Sequence, residues 1–142
     1  MQIIGFTLTK ISIERKEGPQ GKFKVTSKID VKEVKEEKVQ LAEGKEVARA
    51  EFEYSIDYEP DIADISFRGF VLLMGEPKEI KEFIADWKKK KIMASEMKLR
   101  VFNTIFQKCN IKALELEDDF NLPPHLHLPA IKPEEKSNTY TG

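Results

Sequence analysis

A run of apolar residues at every second position, over residues 48–58, constrains the fold of this chain more than any other feature. Six apolar side chains share one phase of this run: Ala48, Ala50, Phe52, Tyr54, Ile56 and Tyr58. Polar residues fill the positions between them. Alternation with a period of two places one set of side chains on each face of a β-strand and does not fit a helix. The run therefore predicts a long strand with one buried face and one wetter face.

Three further segments alternate in the same way and extend the prediction to a sheet of four strands. Phe23–Val31 alternates apolar residues mainly with Lys and Asp, and Ile65–Met74 becomes apolar on both faces toward its end. In Ile3–Ile13 the apolar residues change phase between Leu8 and Ile11. Because a change of phase moves side chains to the opposite face, this strand needs a bulge or a bend.

Two amphipathic helices are predicted after the strands. Pro77 suits a first helical turn. The apolar residues after it recur at i, i+3, i+4 and i+7: Ile80, Phe83, Ile84 and Trp87. Lys88–Lys91 then places cations at the negative end of the helix dipole, and a longer helix is expected from about Ala94 to Glu117. The predicted fold class is α+β: a four-stranded antiparallel sheet followed by a short and a long helix on one face.

The domain prediction is one α+β domain over residues 1–132 and a polar, mobile tail over residues 133–142. The 142 residues carry 24 Lys and Arg against 25 Asp and Glu, so the net charge of −1 gives no general attraction to nucleic acid. No apolar run approaches the roughly 18 residues of a membrane span, and no secretory signal is recognised. One cysteine fits a reducing compartment. We therefore expect a cytoplasmic protein with no membrane-inserted segment.

The sequence carries no familiar motif for catalysis. The seven glycines are scattered and form no phosphate-binding loop, and no Ser lies in a nucleophile-elbow pattern. Cys109 falls beside the apolar stripe of the long helix and is interpreted as a small buried hydrophobe. We expect no enzyme activity, no cofactor and no metal. The alternative is a metal site at His125 and His127 with a distant carboxylate, since zinc generally takes three or four protein ligands.

Apolar and aromatic residues are numerous for four strands and two helices. The second sheet face carries apolar stretches of its own, and the stripe on the long helix is wider than one packing surface needs. Large bare apolar patches rarely persist on soluble monomers. The surplus therefore predicts surfaces that another subunit or another polypeptide covers.

Three short motifs, in this order along the chain, resemble the SecB export-chaperone family. Phe6–Glu14 resembles the family's opening strand, in which a Lys precedes an Ile-Ser-aromatic-Glu pattern. Lys28–Val31 resembles the Lys-Leu-Asp-Leu of the second strand, and Pro124–Ile131 resembles the Pro-Gln-Leu-Asn-Leu-Ala-Pro-Val segment after the long helix. The resemblance extends from Ile3 to Ile131.

The resemblance implies a holdase, a chaperone that uses no nucleotide and binds apolar and aromatic segments of non-native polypeptides. It also implies a homodimer that pairs again into a tetramer. Its clients would be exported proteins passed to the SecA motor, or antitoxins and other cytosolic proteins. The family's tail contacts that motor, and Glu134–Gly142 offers no convincing counterpart. The sequence therefore favours the second group of clients.

Two sets of site residues are predicted. The client-binding groove is assigned to Ile29, Val31, Tyr54, Phe83 and Trp87. Ile29 and Val31 carry over from the second-strand motif of the resemblance, whereas the other three are inferred from the third strand and the short helix. Subunit contact and core packing are assigned to Met97, Val101, Phe102 and Ile105. An alternative interpretation of the same patches is an oligomeric adaptor that binds one specific folded partner.

Overall fold

The computed structural model describes residues 1–16, 21–39 and 44–127. They form four strands and two helices: β1 Gln2–Arg15, β2 Lys24–Glu37, β3 Glu46–Glu59, β4 Ala63–Gly75, α1 Pro77–Lys90 and α2 Ser95–Asp119. The strands pair antiparallel in the order β1-β4-β3-β2. Helix α1 packs mainly over β2 and β3, and α2 contacts β4. The predicted α+β architecture is confirmed. The tail predicted at 133–142 lies outside the described residues.

The hydrophobic core lies between the sheet and the two helices. The apolar phase that predicted β3 faces this core, and Ile56 and Tyr54 have 0% and 1% of their surface exposed. Across the β3–β4 ladder they pair with Ile65 and Phe67, which are also buried. Cross-strand pairs of this kind give the sheet one continuous apolar face.

A bulge in β1 explains the change of phase seen in its sequence. The β1–β4 register shifts between Leu8 and Lys10, which leaves Thr9 as an extra residue. The shift returns Ile11 to the helix-facing side that Leu8 occupies, so the apolar face continues through the bulge. Gly69 of β4 lies opposite, where a Cβ atom would overlap the carbonyl oxygen of Thr7. Only glycine permits this close approach of the two strands.

The second face of the sheet carries ion pairs where apolar stretches were expected to need a cover. Arg49 lies 3.3 Å from the Glu51 carboxylate, and Arg68 lies 2.6 Å from that of Glu53. The guanidinium carbon of Arg49 also lies 3.6 Å from the centre of the Phe70 ring. A cation over an aromatic face is attracted by the ring electrons. The apolar area of Phe70 is therefore shielded within the chain itself.

Helix α1 begins and ends with recognisable capping arrangements. Pro77 occupies the first turn, as predicted, and the backbone N–H of Glu76 donates to the Glu79 carboxylate at 3.2 Å, one half of a capping box. At the other end Lys91 takes a left-handed backbone with φ 56°, and its N–H donates to the Trp87 carbonyl at 2.8 Å. This turn redirects the chain toward α2.

None of the described helices is long and apolar enough to span a membrane.

Candidate functional site

A surface cleft of about 230 Å³ opens where β2 meets the end of α1 and the start of α2. Its lining is Ile29, Asp30, Val31, Trp87, Lys91, Ile92, Met93, Lys98 and Phe102. We call it the apolar cleft, because most of these side chains are apolar. Three elements from separate parts of the sequence meet here, so the site exists only in the folded chain.

One side of the apolar cleft is built by the edge strand β2. Ile29 and Val31 point to the helix-facing side, opposite Tyr54 and Phe52 of β3. The period of two explains why these two residues, and not Asp30 between them, face that side. Because β2 lies at one edge of the sheet, no other strand of the described residues flanks it there, and Ile29 and Val31 are half-buried.

The helical side of the apolar cleft combines buried and exposed apolar residues. Trp87 and Met93 are packed into the core, with 8% and 7% of their surface exposed. Ile92 is 54% exposed, and Phe102 is half-buried. Covering apolar surface is worth about 25 cal/mol per Å². The cleft therefore offers apolar area on which an incoming apolar side chain gains free energy.

Two lysines stand beside the aromatic residues of the apolar cleft. The Nζ of Lys91 lies 5.5 Å from the centre of the Trp87 ring, and that of Lys98 lies 5.6 Å from the centre of the Phe102 ring. Both distances fall within the range of a cation–π interaction. The site is thus an apolar surface with cations at its margin.

The structure brings together three of the five residues predicted to line the groove. Ile29, Val31 and Trp87 all line the apolar cleft. Tyr54 and Phe83 lie in the core, with 1% and 5% of their surface exposed. Tyr54 is covered by α2, and Phe83 lies on the inner face of α1. Direct contact of these two side chains with a client would require the core to open.

The residues predicted for subunit contact and core packing lie mainly in the core of the single chain. Met97 is 6% exposed, and Val101 and Ile105 are 0% exposed. These three side chains are already covered by the sheet, so contact with a second copy would have to use other residues. Phe102, the fourth residue of this set, lines the apolar cleft instead.

Five cleft residues were not predicted as site residues from the sequence: Asp30, Lys91, Ile92, Met93 and Lys98. The pair Ile92-Met93 directly follows the lysine run and lies between the two helices. An apolar pair in a short connection between helices is a usable signal, because such segments are usually polar. The two lysines carry no signal of this kind, since their placement depends on how the helices cross.

A second group of side chains, which we call the buried polar cluster, links the end of α2 to β3. It consists of Tyr54, Asn110, Glu117 and His125. The Tyr54 hydroxyl donates to Asn110 Oδ1 at 2.8 Å, and His125 Nε2 lies 2.8 Å from the same oxygen. Glu117 Oε1 accepts the His125 backbone N–H at 3.0 Å, and Oε2 lies 2.7 Å from Nδ1.

The buried polar cluster changes two interpretations made from sequence. Glu117, expected at a solvated helix end, is 1% exposed, because the segment after α2 folds back over it. The His125 side chain is also 1% exposed and faces Glu117 and Asn110, while His127 is exposed. Within the described residues no group of three or more His, Cys, Asp or Glu is placed to hold a metal ion. The cluster therefore gives the metal alternative no support.

Burial shapes the titration of the groups around this cluster. Burial raises the pKa of Tyr54, and it raises that of Tyr58, whose hydroxyl donates to the Pro123 carbonyl near Glu117. Burial also raises the pKa of the Cys109 thiol to about 12. A thiol in this state is a poor nucleophile. Cys109 is 0% exposed, which confirms its interpretation as a small buried hydrophobe.

The arrangement of strands and helices defines a SecB-like α+β fold. Among solved structures, the chain is similar to the SecB-like chaperone Rv1957 of Mycobacterium tuberculosis, solved in complex with a ChAD peptide from the Rv1956 HigA1 antitoxin. The TM-score is 0.51 and the sequence identity 16%, over 92% of this chain and 90% of that one. No protein-family model matches the chain, and the search of curated proteins finds no match. The likeness shows the fold that the three motifs predicted.

Proposed function

We propose that this chain is an ATP-independent chaperone of the holdase type, which binds apolar and aromatic segments of non-native polypeptides. The observation that carries the proposal is the apolar cleft, in which Ile92 remains open to solvent beside Trp87 and Phe102. The SecB-like fold supports it, since the similar Rv1957 structure holds a ligand of the same chemical class, a peptide.

Binding at such a cleft draws on burial of apolar area and needs no nucleotide. The gain is about 25 cal/mol per Å² before the cost of ordering the client. No covalent bond is broken, so the proposed protein is not an enzyme and needs no cofactor. The proposed clients are antitoxins or other cytosolic proteins met in the cytoplasm, with transfer to a secretion motor as the alternative destination.

Self-association into a dimer or a dimer of dimers is part of this proposal. Helix α2 exposes large apolar side chains to solvent: Leu99 and Ile111 are each 64% exposed, and Phe106 is 37% exposed. Exposed apolar residues on one helix favour a covering partner. Native mass in solution tests this part, and a monomer at micromolar concentration would contradict it.

The holdase activity is tested by the aggregation of several unrelated proteins diluted from denaturant. A holdase slows the aggregation of most of them without ATP. An adaptor, the alternative use of the same surface, protects none of them and binds one folded partner instead. Protection of no client by the assembled protein would overturn the proposal.

A matched pair of variants locates the activity. Ile92→Asp places a charge in the apolar cleft, whereas Val39→Asp places it on a similarly exposed valine outside both the cleft lining and α2. Because both side chains are largely exposed, each change should leave the circular dichroism unchanged. We expect Ile92→Asp to weaken client capture about tenfold, since a charge disfavours apolar contact. Equal capture by the two variants would show that the cleft is not the binding site.

A further inference from the structure

We propose that the apolar cleft selects client segments in which acidic residues flank the bulky apolar residue. This inference rests on the proposed function and specifies the chemistry of its ligand. Lys91 and Lys98 stand at the cleft over Trp87 and Phe102. Among the residues that the structure describes, neither lysine has a carboxylate within 4.0 Å. Their charges are available to an incoming carboxylate.

Asp30, the acidic residue in the cleft lining, does not cancel these charges, because its side chain points to the other face of the sheet. Asp30 already lies 3.5 Å from Lys28 Nζ and 3.7 Å from Lys32 Nζ. Of the charged residues in the cleft lining, the two cations Lys91 and Lys98 outnumber the one anion, Asp30. The margin of the cleft is therefore cationic, although the whole chain has a net charge of −1.

The open face of the sheet provides an internal comparison. A depression of about 370 Å³ there is lined by Arg49, Glu51 and Arg68, among others. Arg49 pairs with Glu51, and Arg68 pairs with Glu53, so each cation meets an anion within the chain. In the part of the chain that the structure describes, the cleft lysines have no such partner. Charge complementarity therefore favours an acidic ligand at the cleft and not on the open face.

The backbone at Lys91 supports a role for its side chain. Lys91 ends α1 in the left-handed conformation, with φ 56°. Glycine is the usual residue at this position, because a Cβ atom makes the left-handed backbone less favourable. A lysine at this site gives up stability but places an ammonium group beside Trp87. Residues that break a local rule tend to occur at functional sites.

The geometry also sets the spacing expected in the ligand. The Lys91 ammonium lies 5.5 Å from the centre of the Trp87 ring. An extended chain advances about 3.3 Å per residue. Acidic residues one or two positions from the apolar anchor therefore fit best.

Three synthetic peptides test the inference on the full-length protein. They share one Trp-containing apolar core and carry two Glu, two Gln or two Lys on each side. Fluorescence anisotropy at low ionic strength should give the Glu peptide an affinity about three- to tenfold above the Gln peptide, with the Lys peptide weaker still. The difference should shrink at 0.5 M salt, because salt screens exposed charges.

Two charge-reversed variants locate the preference. Lys91→Glu with Lys98→Glu should invert the order of the Glu and Lys peptides and leave the Gln peptide within about twofold. The control, Lys89→Glu with Lys90→Glu, changes the net charge equally at residues that do not line the cleft. It should preserve the order of the three peptides.

Each contrary result has a distinct meaning. Tight but equal binding of the Glu and Lys peptides overturns the acidic preference and leaves the proposed function standing. Inversion by the control variant also overturns it, because net charge would then suffice. Binding of none of the three peptides overturns the proposed function together with the preference.

Discussion

The two ends of the helical layer differ in which side chains they expose and which they bury. At one end, the apolar cleft leaves Ile92 and Phe102 partly open to solvent and keeps Lys91 near an aromatic ring. At the other end, the buried polar cluster encloses Glu117 and His125 almost completely. One end has apolar surface without a cover, and the other has polar groups that are covered.

The difference distinguishes apolar surface that a partner can cover from a buried polar cluster that stabilises the fold. Buried polar groups are tolerated when they find partners within the fold, and Glu117 and His125 find each other. Exposed apolar groups gain only from a partner outside the chain. The polar groups of the buried polar cluster therefore contact one another within the chain, whereas the exposed apolar side chains of the cleft are the surface on which the proposed client would bind.

The reactivity of thiols at the two ends should differ most. Cys109 lies in the core beside the buried polar cluster, with a pKa of about 12 against an ordinary 9.0. At pH 8 the raised pKa alone lowers its thiolate fraction about a thousandfold. We expect labelling of native protein by a thiol reagent to be at least a thousandfold slower than labelling in denaturant.

A cysteine moved to the cleft is the matched probe for that experiment. The variant Ile92→Cys with Cys109→Ser carries its only thiol at an exposed position. It should react at nearly the rate of an unfolded chain, and bound client peptide should protect it. Rapid labelling of native Cys109 would show that the core opens near the buried polar cluster. The two ends would then not differ in accessibility.

Loss of the Glu117 carboxylate should give the next largest effect. Glu117→Ala leaves the His125 backbone N–H and the ring nitrogen Nδ1 without their buried carboxylate, which we expect to cost about 3 kcal/mol of unfolding free energy. The exposed Glu115, 3.2 Å from Lys112, is the control, and Glu115→Ala should change stability by less than about 0.5 kcal/mol. Urea denaturation measures both variants.

The same variant tests whether the two ends act independently. Below its unfolding transition, Glu117→Ala should capture client peptides as the natural chain does. A large loss of client-peptide capture with native circular dichroism would show that the buried polar cluster positions the residues of the cleft. Equal stability of the Glu117 and Glu115 variants would show that the buried polar cluster does not stabilise the fold.

The fold was largely predictable because its strands obey a local rule. The period of two in β3 identified its buried face, and the change of phase between Leu8 and Ile11 predicted the bulge now seen at Thr9. Pro77 and the helical spacing of Ile80 and Trp87 placed α1. In each case, burial of one face fixes both the pattern and the structure.

The candidate site was predictable only in part, because it depends on where separate segments meet. Ile29 and Val31 were predicted from the second-strand motif and Trp87 from the apolar face of the short helix, and all three line the cleft. Apolar character alone does not distinguish them from Tyr54, which is covered by α2. Likewise, Glu117 appeared to end a solvated helix, since only the folded return of His125 buries it.

The smallest effect is predicted at Lys91, where stability and binding should move in opposite directions. Lys91→Gly relieves the left-handed backbone, so we expect a gain of about 1 kcal/mol, or fivefold in the unfolding equilibrium. The same change removes a cation from the apolar cleft and should weaken binding of the Glu-flanked peptide about threefold, while binding of the Gln-flanked peptide is unaffected.

Lys91→Ala is the control, because it removes the ammonium group but keeps a Cβ, and should weaken binding of the Glu-flanked peptide without the gain in stability. Urea midpoints and peptide anisotropy on the two variants separate the contributions of backbone and charge. If Lys91→Gly stabilises the protein without lowering its affinity for the Glu-flanked peptide, the Lys91 side chain does not contribute to ligand binding.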